Sequence, residues 1–128
     1  MPGRKVVLVV DDDPSTLRGV KRLLREHGFE AVLFESAQAL RNHHDFNGAC
    51  CIILDINLGD GFGIDLRHQL TAAGVSLPVI YITGNDNDAT RLAALQSGCF
   101  AYLRKPFSAK SLIEPLELAS AGSAQGLQ

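Results

Sequence analysis

The sequence VVLVVDDD at residues 6–13 indicates how this chain folds and where its most polar cluster lies. Five consecutive apolar residues are typical of a strand that is covered on both faces, as in a parallel sheet. Three aspartates follow at the point where such a strand ends. Asp13 and Pro14 then suit the start of a helix, whose inward face is predicted to contain Leu17, Val20, Leu23 and Leu24.

The same alternation of apolar runs and helical patterns continues along the chain. Helices are predicted between further strands at residues 31–34, 51–54, 78–82 and 100–103. Gly28 and Gly98 are placed to end two of the helices, and Ser36 and Ser108 are placed to begin two others. Because strands that alternate strictly with helices form parallel sheets, we expect an α/β fold with helices on both faces.

Length and charge exclude several classes of protein. The 128 residues suit one compact domain, which we expect at residues 1–118, followed by a flexible tail or the start of a linker at 119–128. The net charge of −2 argues against direct nucleic-acid binding, which usually needs a basic surface. Since the sequence has neither a secretory pattern nor an apolar run of about 18 residues, we expect a cytoplasmic protein without membrane contact.

Polar residues stand directly after four of the predicted strands. Asp11 and Asp12 follow the first strand, Asp55 the third, Thr83 the fourth and Lys105 the fifth. In an open α/β sheet, ligands bind outside the carboxyl ends of the strands. We therefore expect these side chains to meet at one edge of the sheet, although each taken alone has an ordinary structural explanation as a cap, a turn residue or a surface charge.

A cluster of carboxylates with one lysine and one threonine indicates phosphoryl chemistry. Ionised carboxylates repel one another, and a hard cation between them relieves that repulsion. Mg²⁺ prefers one or two carboxylates together with waters and phosphate oxygens. In such a site an aspartate can act as the nucleophile and form an acyl phosphate, while the metal and the lysine neutralise charge on the transferred group.

Four segments carry a resemblance to a known family: VVDD at residues 9–12, ILD at 53–55, ITG at 82–84 and YLRKPF at 102–107. Together and in this order they resemble the signature set of the receiver domains of two-component response regulators. The resemblance covers roughly residues 5–118. It implies a flavodoxin-like, doubly wound fold with a five-stranded parallel sheet in the order 2-1-3-4-5.

The resemblance also implies a role for each residue of the cluster. Asp55 would accept the phosphoryl group, and Thr83 and Lys105 would contact its oxygens. Mg²⁺ would be bound by Asp55, Asp12 and the backbone carbonyl of Asn57, and by Asp11 mainly through water.

Three further residues complete the implied site. The bond that joins Lys105 to Pro106 would be cis, and Tyr102 would change rotamer as the hydroxyl of Thr83 moves. By its position two residues after Thr83, Asn85 is expected to tune the rate of dephosphorylation together with Asn57.

The implied function is signalling, not metabolic catalysis. The chain would catalyse only its own phosphorylation and its slow loss. A sensor histidine kinase or a phosphotransfer protein would donate the phosphoryl group, and the receiver would then change conformation to signal to an output domain or a partner. A homodimer through the fourth helix, the fifth strand and the last helix is a further expectation.

Two segments depart from the family pattern. Many receivers have a proline a few residues after the acceptor, whereas this chain has LGDGFG at residues 58–63, which predicts a more mobile loop. Pro115 lies inside the last predicted helix. Because proline removes a helical hydrogen bond and clashes with the preceding turn, we expect a kink or an interruption there.

Three other functions fit this sequence less well than the receiver does. A haloacid-dehalogenase-like phosphohydrolase would use Asp11 as nucleophile and Asp13 as acid/base, but it would leave Asp55 without a role, and no acidic pair that would complete that family's metal site follows Lys105. A flavodoxin-like electron carrier would need a phosphate-binding loop where the three aspartates stand. A degenerate receiver that acts only as an interaction module is disfavoured because the residue set is complete.

Overall fold

The computed structural model describes residues 5–122. Strands and helices follow one another in the order β1 (Lys5–Val10), α1 (Pro14–Glu26), β2 (Phe29–Phe34), α2 (Ala37–Arg41), β3 (Ala49–Asp55), β4 (Asn57–Leu58), β5 (Gly61–Phe62), α3 (Gly63–Ala72), β6 (Val79–Thr83), α4 (Asp88–Gln96), β7 (Ala101–Arg104) and α5 (Ala109–Ser120). No helix within the described range is long and apolar enough to cross a membrane.

Five of these strands form one parallel sheet in the order β2-β1-β3-β6-β7. Counting only the strands of this sheet, the order is 2-1-3-4-5, so the predicted fold is confirmed. The central strands β1, β3 and β6 are almost wholly buried, which explains their continuous apolar sequences. The outer strands β2 and β7 are only partly buried.

Helices cover both faces of the sheet because successive side chains of a strand point to opposite faces. Along β1, Leu8 and Val10 pack in the cluster that α2, α3 and α4 complete. Val7 and Val9 pack in the other cluster, which contains the buried residues of α1 and α5. The two layers hold the central strands rigidly, and so fix the positions of the polar residues at their carboxyl ends.

Side-chain caps begin the helices where the sequence predicts them. The helices α1, α2 and α5 each begin with a side chain that accepts a hydrogen bond from a backbone N–H group. These side chains are Asp13 for α1, Ser36 for α2 and Ser108 for α5. Gly28 and Gly98 follow α1 and α4 with φ angles of 85° and 82°, which glycine adopts without steric cost.

The segment after β3 is more regular than the sequence predicts. β4 and β5 form an antiparallel hairpin that pairs Asn57 with Phe62 and Leu58 with Gly61, and the mobility of residues 58–63 stays a prediction. Gly59 and Asp60 make its turn.

The last helix continues through its proline. α5 runs from Ala109 to Ser120 with Pro115 inside it, so the predicted interruption is wrong, and the kink stays a prediction. Pro115 has no N–H for the carbonyl of Ser111, but the burial of Leu112 and Leu116 against the sheet keeps the helix in place. Of the predicted tail, residues 119 and 120 belong to α5, and residues 123–128 lie outside the described residues.

Candidate functional site

Three carboxylates meet at the carboxyl edge of the sheet. Asp11 follows β1 and Asp55 ends β3, and these strands are hydrogen-bonded neighbours. Asp11 is fully buried and Asp55 is 4% exposed, whereas Asp12 is exposed. One oxygen from each residue lies within 4.8 Å of the other two. Two buried carboxylates and one open to solvent therefore surround a common point.

The ammonium group of Lys105 lies between the two buried carboxylates. Its Nζ atom is 2.7 Å from Oδ2 of Asp11 and 3.3 Å from Oδ2 of Asp55. Its backbone N–H donates to the carbonyl oxygen of Thr83, which fixes the loop after β7 against β6. The Lys105–Pro106 peptide bond is cis, the form that the family resemblance implies.

The charges of this cluster shift one another's ionisation. Burial, and after it the neighbouring charge of Asp11, together raise the pKa of Asp55 to about 6. Burial alone would lower the pKa of Lys105, but its hydrogen bond to Asp11 and the charge of Asp55 outweigh this effect, so its pKa is raised. Lys105 is therefore held as a cation beside a carboxylate that ionises reluctantly.

The hydroxyl of Thr83 lies on the neighbouring strand β6 and is fully buried. Its Oγ1 atom accepts hydrogen bonds from Nδ2 of Asn57 at 3.3 Å and from the backbone N–H of Asn85 at 3.0 Å. The backbone N–H of Asn57 donates to Oδ1 of Asp55 at 3.1 Å. Asn57 thus links the carboxylate of β3 to the hydroxyl of β6.

Tyr102 lies on the edge strand β7 and is bound to a residue that sequence reasoning missed. Its hydroxyl donates to Oδ1 of Asp86 at 2.8 Å, and Oδ2 of Asp86 is 2.6 Å from Nη2 of Arg91. Arg104 approaches the same carboxylate at 3.7 Å. The spacing of Asp86 from Thr83 carries no signal for this contact, because it depends on how the loop after β6 meets β7.

Gly63 is a second residue whose role the sequence did not reveal. A Cβ atom at this position would lie 2.3 Å from the backbone oxygen of Asp55 and 2.9 Å from Cα of Ile56. The N–H of Gly63 donates to the carbonyl of Ile56 at 2.6 Å. Only glycine allows the base of the hairpin to come this close to the backbone that carries Asp55.

The residues present fit a small divalent cation. Carboxylate oxygens from three residues face one point, and hard cations such as Mg²⁺ prefer oxygen ligands. Both oxygens of Asp11 already accept hydrogen bonds, one from the N–H of Asp13 and one from Lys105. Both oxygens of Asp55 likewise accept hydrogen bonds, from the N–H of Asn57 and from Lys105, and Asp12 is the member of the three that is exposed to solvent.

Comparison with known proteins decides the family. The sequence model of the protein family described as the response regulator receiver domain matches residues 7–117 of this chain. The chain belongs to the response regulator receiver family. It is a signalling domain, and membership in this family separates it from the haloacid-dehalogenase phosphohydrolases and the flavodoxin-like electron carriers.

Individual relatives of this receiver agree with that family. Response regulator protein TodT of Pseudomonas putida is 28% identical over 114 residues, which cover 89% of this chain and 50% of that protein. Sensory transduction protein RegX3 of Mycobacterium tuberculosis is 36% identical over 107 residues, which cover 84% of this chain and 47% of that protein. The receiver spans about half the length of the curated relatives it matches.

A solved receiver has the same fold. The crystal structure of a response regulator receiver domain protein from Clostridium thermocellum matches with a TM-score of 0.84 and 27% identity, covering 96% of this chain and 98% of that one.

Proposed function

We propose that this receiver accepts a phosphoryl group on Asp55 from a phosphohistidine of a sensor kinase or a phosphotransfer protein. The observation that carries the proposal is the position of Lys105, whose Nζ atom lies within 3.3 Å of the carboxylates of both Asp55 and Asp11. An ammonium group held there can neutralise an incoming phosphoryl oxygen without leaving the site.

The transfer needs Asp55 as an ionised nucleophile. A carboxylate oxygen of Asp55 attacks phosphorus, the phosphorus–nitrogen bond of the donor breaks, and its electron pair leaves with the imidazole. The product is an acyl phosphate on Asp55. Lys105 then pairs with one phosphoryl oxygen, and the hydroxyl of Thr83, whose oxygen already accepts two N–H groups, donates its proton to another.

Mg²⁺ is the proposed cofactor. Asp12, Asp55 and the backbone carbonyl of Asn57 would bind it directly, and Asp11 would bind it mainly through water, since Mg²⁺ usually keeps several waters. When bound, the ion neutralises charge on the transferring phosphoryl group. Asn57 and Asn85 are proposed to set the rate at which water removes that group, because both are exposed beside Thr83.

Phosphorylation is proposed to change the surface around Tyr102. As the hydroxyl of Thr83 turns toward the phosphoryl group, Tyr102 turns inward, and the face formed by α4, β7 and α5 changes shape. Leu92 and Leu95 on α4 are 56% and 59% exposed, which suits contact with an output domain, a partner or a second copy of the receiver.

The test is phosphorylation by acetyl phosphate, followed by intact mass in the presence and absence of Mg²⁺. The wild-type receiver should gain one phosphoryl group only with Mg²⁺, Asp55→Asn should gain none, and Asp12→Ala should lose most of the reaction while keeping its fold. A label that survives in Asp55→Asn and is lost in Asp11→Asn would refute the assignment, because Asp11 would then be the nucleophile.

A further inference from the structure

Asp60 joins the turn of the hairpin to another part of the fold. Its Oδ1 atom accepts the N–H of Ala37 at 2.9 Å, and its Oδ2 atom accepts the N–H of Gln38 at 3.0 Å. These are the first two residues of α2. Ser36 caps the same helix by accepting the N–H of Ala39 at 3.0 Å, so Asp60 is a second cap that comes from a distant segment.

The hairpin that Asp60 holds also borders the candidate metal site. Its first strand contains Asn57, whose backbone carbonyl is a proposed metal ligand. At its turn, a Cβ atom on Gly59 would lie 3.3 Å from Oδ2 of Asp12. At its base, Gly63 lies against the backbone of Asp55. The hairpin is therefore in close contact with the carboxylate of Asp12 and with the backbone of Asp55.

We propose that Asp60 is a positioning residue for the divalent cation of this receiver. By tying the hairpin turn to α2, it fixes the backbone carbonyl of Asn57 relative to the carboxylates of Asp12 and Asp55. This inference rests on the proposed function, since it takes the carbonyl of Asn57 as a metal ligand. Asp60 itself does not contact the cation.

The physical argument has two parts. A two-stranded hairpin is at best marginally stable by itself, so the position of β4 and β5 depends on what holds the hairpin to the rest of the fold. Gly63 fixes the base of the hairpin, and Asp60 fixes its turn. Mg²⁺ requires nearly ideal octahedral geometry, so a ligand that is free to drift binds it less tightly. Partners that orient metal ligands typically contribute 10–100-fold to metal affinity, and Asp60 would act in this way through the hairpin.

The experiment measures Mg²⁺ binding to the unphosphorylated receiver, by following the amide NMR signals of Asp12 and Asn57 during a titration. Asp60→Asn should raise the dissociation constant about tenfold, because an NH2 group, which cannot accept an N–H, replaces one of the two accepting oxygens. Ser36→Ala removes the other cap of α2 and leaves the hairpin untouched. Asp65→Asn removes an equal charge from the exposed first turn of α3. Both controls should stay within about twofold of the wild type.

Hydrogen exchange provides a readout that is independent of the metal. The amides of Ala37 and Gln38 should exchange faster in Asp60→Asn, and the amide of Ala39 should exchange faster in Ser36→Ala. Because Asp60 is exposed, its replacement leaves the core unchanged.

Each contrary outcome has a distinct meaning. Unchanged Mg²⁺ affinity in Asp60→Asn, with faster exchange at Ala37 and Gln38, would overturn the inference while leaving the proposed function intact. An equal loss in Asp65→Asn would show that charge alone matters, and an equal loss in Ser36→Ala would show that α2 as a whole matters. Either result would also overturn it. A wild-type receiver that binds no Mg²⁺ would refute the metal assignment itself.

Discussion

The hydroxyl of Tyr102 is hydrogen-bonded to Asp86 at 2.8 Å, and that carboxylate is also paired with Arg91 at 2.6 Å. The guanidinium carbon of Arg91 lies 5.9 Å from the centre of the Tyr102 ring. The same arrangement raises the pKa of Tyr102 to about 12, through burial and through the hydrogen bond and charge of Asp86. Asp86 therefore holds Tyr102 in its position beside α4 before any phosphoryl group is present.

Loss of this hydrogen bond should favour the inward position of Tyr102. A shift from 1:99 to 99:1 requires about 5.5 kcal/mol, whereas one charge-assisted hydrogen bond contributes about 1.5–3 kcal/mol. We therefore expect Asp86→Ala to shift the balance only partly without phosphate, and beryllofluoride to complete the shift. The ring signals of Tyr102 in NMR spectra measure the balance between its two positions. Tyr81, the other tyrosine, is buried and serves as a reference. If the Tyr102 signal changes neither with the substitution nor with saturating beryllofluoride, the proposed coupling between the phosphorylation site and Tyr102 is wrong.

Replacing Asp55 by asparagine should stabilise the receiver at neutral pH without divalent cations. The pKa of Asp55 is raised from 3.8 to about 6, so between these values the folded state binds a proton more tightly than the unfolded state. The contribution of Asp55 to stability is thus present at low pH and is lost as the pH rises through about 6. We expect Asp55→Asn to raise the free energy of unfolding by about 1–2 kcal/mol at pH 7.

Urea unfolding in a chelator checks this expectation at two pH values. At about pH 4 the gain should largely disappear, because the carboxyl of the wild type is then mostly protonated in the folded state. Equal gains at both values would show that the ionisation of Asp55 is not the cause.

Alanine should be tolerated at Gly61 and not at Gly63. At Gly61 the nearest atom to an added Cβ is Cβ of Ala37 at 3.7 Å, which is ordinary contact. At Gly63 the added Cβ would lie 2.3 Å from the backbone oxygen of Asp55, so the backbone must move. We expect Gly63→Ala to destabilise the receiver by more than about 2 kcal/mol and Gly61→Ala by less than about 1 kcal/mol. Thermal unfolding of both variants gives the comparison, and equal midpoints would disprove the close approach.

Bulky side chains at the two exposed amides should lengthen the life of the acyl phosphate. Water must approach in line with the bond to Asp55, and Asn57 and Asn85 lie beside Thr83 at the open edge of the site. We expect slower decay in Asn57→Arg and in Asn85→Tyr, measured by loss of the phosphoryl mass after the donor is removed. Asn47→Arg, an exposed change in the loop before β3, is the control. Wild-type decay in both test variants would assign control of water access to other groups.

The sequence predicts the sheet and the convergence of polar residues because both follow from local patterns. A continuous apolar run, such as residues 51–54, predicts a buried strand. The residue that follows such a strand lies at the carboxyl edge of the sheet. The positions of Asp55 and Thr83 are predictable for this reason.

The contacts of Asp60 and Asp86 leave no such pattern. Asp60 bonds to residues that precede it by 22 and 23 positions, and Asp86 bonds to Tyr102, 16 positions away. These pairings depend on how loops meet in three dimensions. Strands of two residues, such as β4 and β5, are too short to show a period. At Pro115 the packing of α5 on the sheet outweighs the local preference of proline.

The order of the strands has a consequence for synthesis of the chain. Asp11 and Asp55 come from β1 and β3, which are neighbours in the sheet, while Lys105 follows β7, which is the last strand made and lies at the edge. A nascent chain that has already paired β1 with β3 would bury two like charges before their counter-ion leaves the ribosome. Closing the sheet with β7 therefore brings the ammonium group of Lys105 to these two carboxylates last.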